Sequence, residues 1–173
     1  MNHLSVRHLT FAAVLAAVYA ALTLILPIPQ YGAVQIRLAE GLTLLPYLLP
    51  AATPGLFVGC FVANLFSPFP LDMVFGSLAT LLACLWTQRV PCRWIAVLPP
   101  VVCNAIIVGF EIAWTQTGFS PAFRAAFLFN ALTVGLGELA ACSLVGLPLL
   151  SAMEQLPIFR TLVPKAYQKR LKK

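Results

Sequence analysis

Apolar residues fill six runs along the chain, at residues 7–26, 38–49, 54–66, 71–87, 94–114 and 123–150, separated by turns rich in proline, glycine or basic residues. The first run holds about 20 residues, which as an α-helix gives ~30 Å, enough for one bilayer crossing. The second and third are each too short to cross unaided, and they meet at Pro50-Ala51-Ala52-Thr53-Pro54. Their far ends carry Arg37, Glu40, Asn64 and Asp72. Charged groups beside two half-length helices point to a cavity, because polar side chains at membrane depth are tolerated mainly around a protein-lined space. The stretch 31–76 is therefore the centre of the design. The connection 27–35, with its prolines, Gly32 and Tyr31, reads as an ordered loop.

Charge decides the topology. Counting both short runs as crossings gives six passes and puts both termini on one side. Nine basic residues (Arg7, Arg89, Arg93, Arg160, Lys165, Lys169, Arg170, Lys172 and Lys173) then share that side, against Arg37 and Arg124 opposite. Fusing the short runs into one helix sends the basic tail across the membrane, which the positive-inside rule rejects. The expected fold is an all-α integral membrane protein of six transmembrane helices, two of them short, with both termini cytoplasmic. It is one domain over 1–173, with 160–173 a basic tail.

Composition fits that picture: 61% of residues are hydrophobic and only 9% charged, where a soluble domain carries about 25% charged residues. The net charge of +6 comes from the tail and not from a nucleic-acid surface. The first run is longer than a signal-peptide core and lacks a small-residue cleavage site. Cys60, Cys84, Cys92, Cys103 and Cys142 show no paired spacing and no neighbouring histidine, so packing thiols are expected and neither a metal nor another cofactor. His3 and His8 are terminal, and no nucleophile or acid pair has a catalytic setting, so an enzyme is not expected.

In the six-pass topology Arg37, Glu40, Asn64, Asp72, Glu111, Arg124 and Asn130 fall in the outer half, with Asn104 and Glu138 near mid-span. Asn104 and Glu111 are seven apart and share a helix face; Asn130 and Glu138, eight apart, lie on neighbouring faces. A carboxylate at the bilayer centre costs roughly 2.5–3.5 kcal/mol even on the lenient insertion scale, so this gathering favours a ligand chamber. Each residue also has a structural reading. Arg37 and Glu40 are spaced to pair with each other, Asp72 to cap the next helix, and the asparagines to bond between helices. A purely structural subunit would use its polar groups in that way alone. Four acids (Glu40, Asp72, Glu111, Glu138) against two bases suit a cation or a ligand with several N–H donors. Tyr31, Phe66, Trp114 and Phe127 stand ready to stack on a flat ring. Ala12, Ala16 and Ala20, with Ala13, Ala17 and Ala21 beside them, give the first helix two smooth stripes for close helix packing.

The runs IRLAEGLTLLPYLLPAATPGLFVGCFVANL, DMVFGSLATLLA, PPVVCNAIIVGFE and VGLGELAACSLVGLPLL closely resemble the QueT family, over nearly the whole chain. Its members are regarded as substrate-binding S components of energy-coupling factor (ECF) transporters. The resemblance implies six helices with both ends cytoplasmic and uptake of a queuosine precursor, a 7-deazaguanine such as preQ1 or preQ0. It also implies docking of an alanine stripe of the first helix on a membrane coupling protein, a substrate-covering loop at 28–36, and two partner ATPases. No G-x-x-x-x-G-K loop occurs in this chain for it to use ATP itself. For the site, Glu138 or Glu111 is expected to accept the N–H donors of the base edge, Asn104 and Asn130 to complete it, and Glu40 to meet an aminomethyl cation. An S component for another vitamin or an aromatic amino acid is the alternative.

Overall fold

The computed structural model describes residues 6–156 and 163–172; His3, Arg160 and Lys173, named above, lie outside them. Six α-helices occur among the described residues: α1 (Val6–Ile25), α2 (Thr53–Asn64), α3 (Asp72–Thr87), α4 (Leu98–Thr117), α5 (Phe123–Ala141) and α6 (Leu147–Gln155). They are not the six helices expected from the hydrophobic runs. The second run is a 3-10 helix over Leu38–Tyr47, and α5 and α6 form one helical run, Phe123–Gln155, joined through a π turn at Cys142–Gly146.

Both departures have a cause in the sequence. Pro46 inside the second run has no N–H to donate to the preceding turn, and the Glu40 carbonyl accepts the Thr43 hydroxyl. A 3-10 helix rises about 2.0 Å per residue against 1.5 Å for an α-helix, so ten residues reach ~20 Å instead of ~15 Å. The thinner rod runs through the middle of the bundle with every residue from Ala39 to Tyr47 buried. In the last run Pro148 follows the π turn, at the start of α6. There the wider turn absorbs the proline that would otherwise break an α-helical ladder.

Close contacts fix the direction of each segment. A Cβ built on Gly55 would lie 2.3 Å from the Ala12 carbonyl oxygen, and one on Gly59 would lie 2.7 Å from that of Ala16. The helices α1 and α2 therefore run parallel at backbone contact. Gln88 bonds Thr53 while Asn64 bonds the Asp72 carbonyl, so α3 returns antiparallel to α2. Gly109 faces Ala131 and Gly135 faces Ala105, so α4 and α5 are antiparallel. The segment after α1 follows α5 in parallel: Thr133 donates to the Ala33 carbonyl, and Gly137 lies under that of Gln35. Successive segments thus alternate up and down.

One end of the bundle collects Arg89, the Arg93–Glu154 pair at 3.0 Å and the segment after residue 163. Arg170 there donates to the Tyr47 carbonyl at 2.7 Å and lies over the Tyr47 and Tyr167 rings. Arg124 sits at the other end, in the first turn of α5. The outer faces of α3 and α5 show Leu78, Leu82, Leu128, Leu132 and Leu136 to the surroundings, while sixteen polar or charged residues among those described are buried. This inside-out distribution suits a lipid solvent. The runs Ile95–Thr117 and Phe123–Gln155 are long and apolar enough to cross a bilayer, with Leu9–Ile25 and Asp72–Thr87 shorter apolar helices.

The crossing at Gly137 is tight enough to predict a stability effect. A Cβ there would lie 1.9 Å from the Gln35 carbonyl oxygen, whereas one on Gly135 would meet the Ala105 Cβ at an ordinary 3.4 Å. Gly137→Ala therefore has to push the 33–37 segment off α5, at a cost of about 1–3 kcal/mol. Gly135→Ala is expected to be close to neutral. Thermal melts of the two detergent-purified variants check the contrast; equal melting temperatures would refute it.

Candidate functional site

Of the nine polar residues singled out in the sequence, eight are buried: Arg37, Glu40, Asn64, Asp72, Asn104, Glu111, Asn130 and Glu138. They come from five segments, and the alternating directions of those segments bring most of them to the half of the bundle away from the basic end. Arg37 stands at the mouth of the 3-10 helix. Its Nη1 lies 3.9 Å from Glu40 Oε1 and its Nη2 4.0 Å from Asp72 Oδ2. Its Nε donates to the Gln30 carbonyl at 3.2 Å, its Nη2 to Gln35 Oε1 at 3.3 Å, and its plane covers the Tyr31 ring at 5.1 Å. The Tyr31 hydroxyl ties the same loop to the Ala63 carbonyl at 2.7 Å.

Asp72 does not serve mainly as a helix cap. Its carboxylate accepts the Ser67 hydroxyl at 2.7 Å and faces Arg37. Asn64 donates to the Asp72 carbonyl at 2.9 Å and to Cys60 Sγ at 3.3 Å. Glu40, Arg37 and Asp72 therefore form one chain of contacts, with Glu111 on α4 beside Asp72 and Glu138 on α5 in the field of Glu40 and Arg37. The α4/α5 register, with 109 against 131 and 105 against 135, sets Asn130 beside the level of Glu111 and Asn104 against 136, two residues before Glu138. Asn130 bonds Gln116 at 3.0 Å and Asn104 its own helix at the Pro100 carbonyl, 3.2 Å away. By these contacts the asparagines flank the chain and are not joined to it.

Two expectations are corrected. Arg124 is exposed at the end of α5 and does not join the acids, so four buried carboxyls share a single buried base among the described residues. Of the four aromatic residues, Tyr31 alone contacts the cluster. Phe66 and Trp114 are exposed, and Phe127 stacks on Phe123 beside Phe110. Sequence reasoning also missed Tyr19, whose hydroxyl donates to Glu40, and Thr80, which donates to the same carboxyl at 3.1 Å. Their signal was a lone phenol in an alanine-rich helix and a threonine between Ala79 and Leu81 in an apolar run.

The unpartnered atoms are the most informative part of the site. Glu40 Oε2, Asn64 Oδ1, both carboxyl oxygens of Glu111, Asn130 Oδ1 and Glu138 Oε2 are buried with no hydrogen-bond partner. Each such group costs about 1–3 kcal/mol, more when charged. All six are acceptors, so what completes them is a set of donors: N–H groups or a cation; the side-chain amide of Gln30, in the loop that Arg37 bonds, is unpartnered as well. The two alanine stripes of α1 also separate. Ala12, Ala16 and Ala20 are half-buried, the first two against Gly55 and Gly59, while Ala13, Ala17 and Ala21 are exposed. An apolar groove of about 230 Å³ lies along this side between α1 and α2, bordered by Leu9, Ala13, Pro54 and Val58.

In the comparison with known families, the model described as QueT transporter matches residues 9–155. No curated protein and no solved structure matches the chain.

Proposed function

Since the chain belongs to the QueT transporter family and is a membrane transporter component and not an enzyme, we propose that it is the substrate-capture (S) component of an ECF-type importer for a 7-deazaguanine queuosine precursor. The observation that carries the substrate half of this reading is the set of six buried acceptors without partners. A 7-deazaguanine offers donors at its ring N–H groups and exocyclic amine, and preQ1 adds an ammonium. PreQ0 carries a nitrile there, an acceptor that Glu40 Oε2 does not complement. PreQ1 is therefore the better fit.

In this reading six crossings place the basic end, with Arg89, Arg93 and the tail, in the cytoplasm and the carboxyl chain towards the outer leaflet. Ligand enters from outside beneath the loop that Tyr31 and Arg37 pin down. Glu138 and Glu111 accept the base-edge donors, Asn104 and Asn130 flank it, and Glu40 meets the aminomethyl cation. The coupling protein docks on the exposed stripe Ala13, Ala17 and Ala21 and the groove beside it. Ala12 and Ala16 touch Gly55 and Gly59 of α2 and line that groove. Two cytoplasmic ATPases supply the energy, and the bound subunit topples to release its cargo inside.

Thermal stabilisation of the purified protein by preQ1, preQ0, queuine, guanine, common vitamins and aromatic amino acids tests the substrate. A ligand at 100 times its Kd adds about 2.7 kcal/mol, and preQ1 is expected to give the largest rise. A rise with a vitamin or amino acid alone transfers the reading to that substrate, and no rise at all supports a purely structural subunit. In proteoliposomes, preQ1 uptake is expected only with the coupling protein, both ATPases and ATP. Equal uptake by this chain alone would reject the partners.

A further inference from the structure

Glu40 presents its two carboxyl oxygens differently. Oε1 accepts the Tyr19 hydroxyl from α1 and the Thr80 hydroxyl from α3 at 3.1 Å, and Arg37 Nη1 lies 3.9 Å from it. Oε2 has no partner, although the residue is fully buried. Thr80 has one proton and two acceptors within reach, Oε1 and Cys60 Sγ at 3.2 Å; Cys60 also lies beside the Tyr19 hydroxyl, whose hydrogen bond goes to Oε1. Tyr19 cannot swing away. It is fully buried, and α2 passes so close that a Cβ on Gly59 would lie 2.8 Å from the Tyr19 Cβ.

We propose that Tyr19 is a positioning residue for ligand binding: its hydroxyl holds Glu40 by Oε1 so that Oε2 stays turned towards the ligand. The assignment rests on the ligand reading above for its purpose, though not for its geometry. The competing account is that Tyr19 is a core phenol satisfied by the nearest carboxyl, with no bearing on the ligand. Three helices converge on one oxygen in the proposed arrangement, and a hydrogen bond to a charged group is the kind that fixes orientation. The same bond ties the site to α1, whose opposite face carries the exposed Ala13, Ala17 and Ala21.

Tyr19→Phe keeps the ring and removes the hydroxyl. In the ligand-free protein, the carboxyl infrared band that disappears in Glu40→Gln is expected to shift in Tyr19→Phe. By calorimetry, preQ1 is expected to bind at least about tenfold more weakly to Tyr19→Phe, the worth of one hydrogen bond to a charged group. In a Glu40→Gln background the same substitution should add no further loss, because the two residues act as one unit. An unmoved band, or an equal loss of affinity in both backgrounds, overturns the proposal. If wild type binds neither preQ1 nor any other member of the panel, the substrate reading falls, while the infrared band still decides whether Tyr19 orients Glu40. Should Tyr19→Phe fail to fold, a fluorinated tyrosine at position 19 retains the shape, and an unchanged Glu40 band there overturns the proposal equally.

Discussion

Arg37→Met is expected to lower the stability of the detergent-purified protein by about 3–5 kcal/mol, the range for breaking a buried ion pair from one side, and to remove ligand binding with it. Arg37 is the single buried base among the described residues, and it stands between Glu40 and Asp72 at 3.9 and 4.0 Å. Methionine fills much of the same volume, so the loss is electrostatic and not a cavity effect. It also frees the loop, because the guanidinium bonds the Gln30 carbonyl and the Gln35 side chain and covers Tyr31. Arg37→Lys separates the two roles. A lysine keeps the charge but cannot supply the planar fork that reaches the loop and both carboxylates at once, so an intermediate loss is expected. Melting temperatures in the order wild type, Lys, Met check this. Equal melting for wild type and Arg37→Met would mean that the carboxyl chain does not depend on its cation.

The gathering of these groups was legible in the sequence because lipid makes buried charge expensive. Arg37, Glu40, Asp72, Glu111 and Glu138 stood out simply by being ionisable inside apolar runs, and segments alternating in direction bring them together. The form of the central element was not legible. Residues 38–49 are apolar on nearly every side, and a segment buried all round carries no periodicity to separate α from 3-10; Pro46 was the one warning. Arg124 shows the opposite failure. Its position in the run suggested the site, but in the first turn of α5 a long side chain reaches past the end of the bundle to be exposed. Tyr19 escaped notice because a phenol in an alanine-rich helix reads as packing until its hydroxyl is seen to have a carboxyl to meet. The alanine stripes illustrate how far spacing alone goes. It marked both as close-packing faces, and the glycines of α2, a segment away in sequence, decide that Ala12 and Ala16 face inward.

The substitutions Glu111→Gln and Glu138→Gln set ligand binding against the fold. Glu111 has the Asp72 carboxyl as its neighbour and the Oε2 of Glu138 has no hydrogen-bond partner, so glutamine breaks few protein contacts and removes a group that is costly to bury. Unchanged or raised melting temperatures are therefore expected for the ligand-free variants. Binding should move the other way. Glutamine presents an N–H where the ligand also presents one, and losing a buried charged partner costs about 2–5 kcal/mol. That corresponds to roughly 30- to 4,000-fold weaker binding of preQ1. Such a split, stability kept and affinity lost, is the behaviour of groups left unsatisfied for the sake of a ligand. A structural role for the same carboxyls predicts lowered melting temperatures without regard to ligand. Calorimetric titration of preQ1 into both variants is decisive: if each binds as tightly as wild type, neither glutamate reads the base edge, and the six orphan acceptors need another explanation.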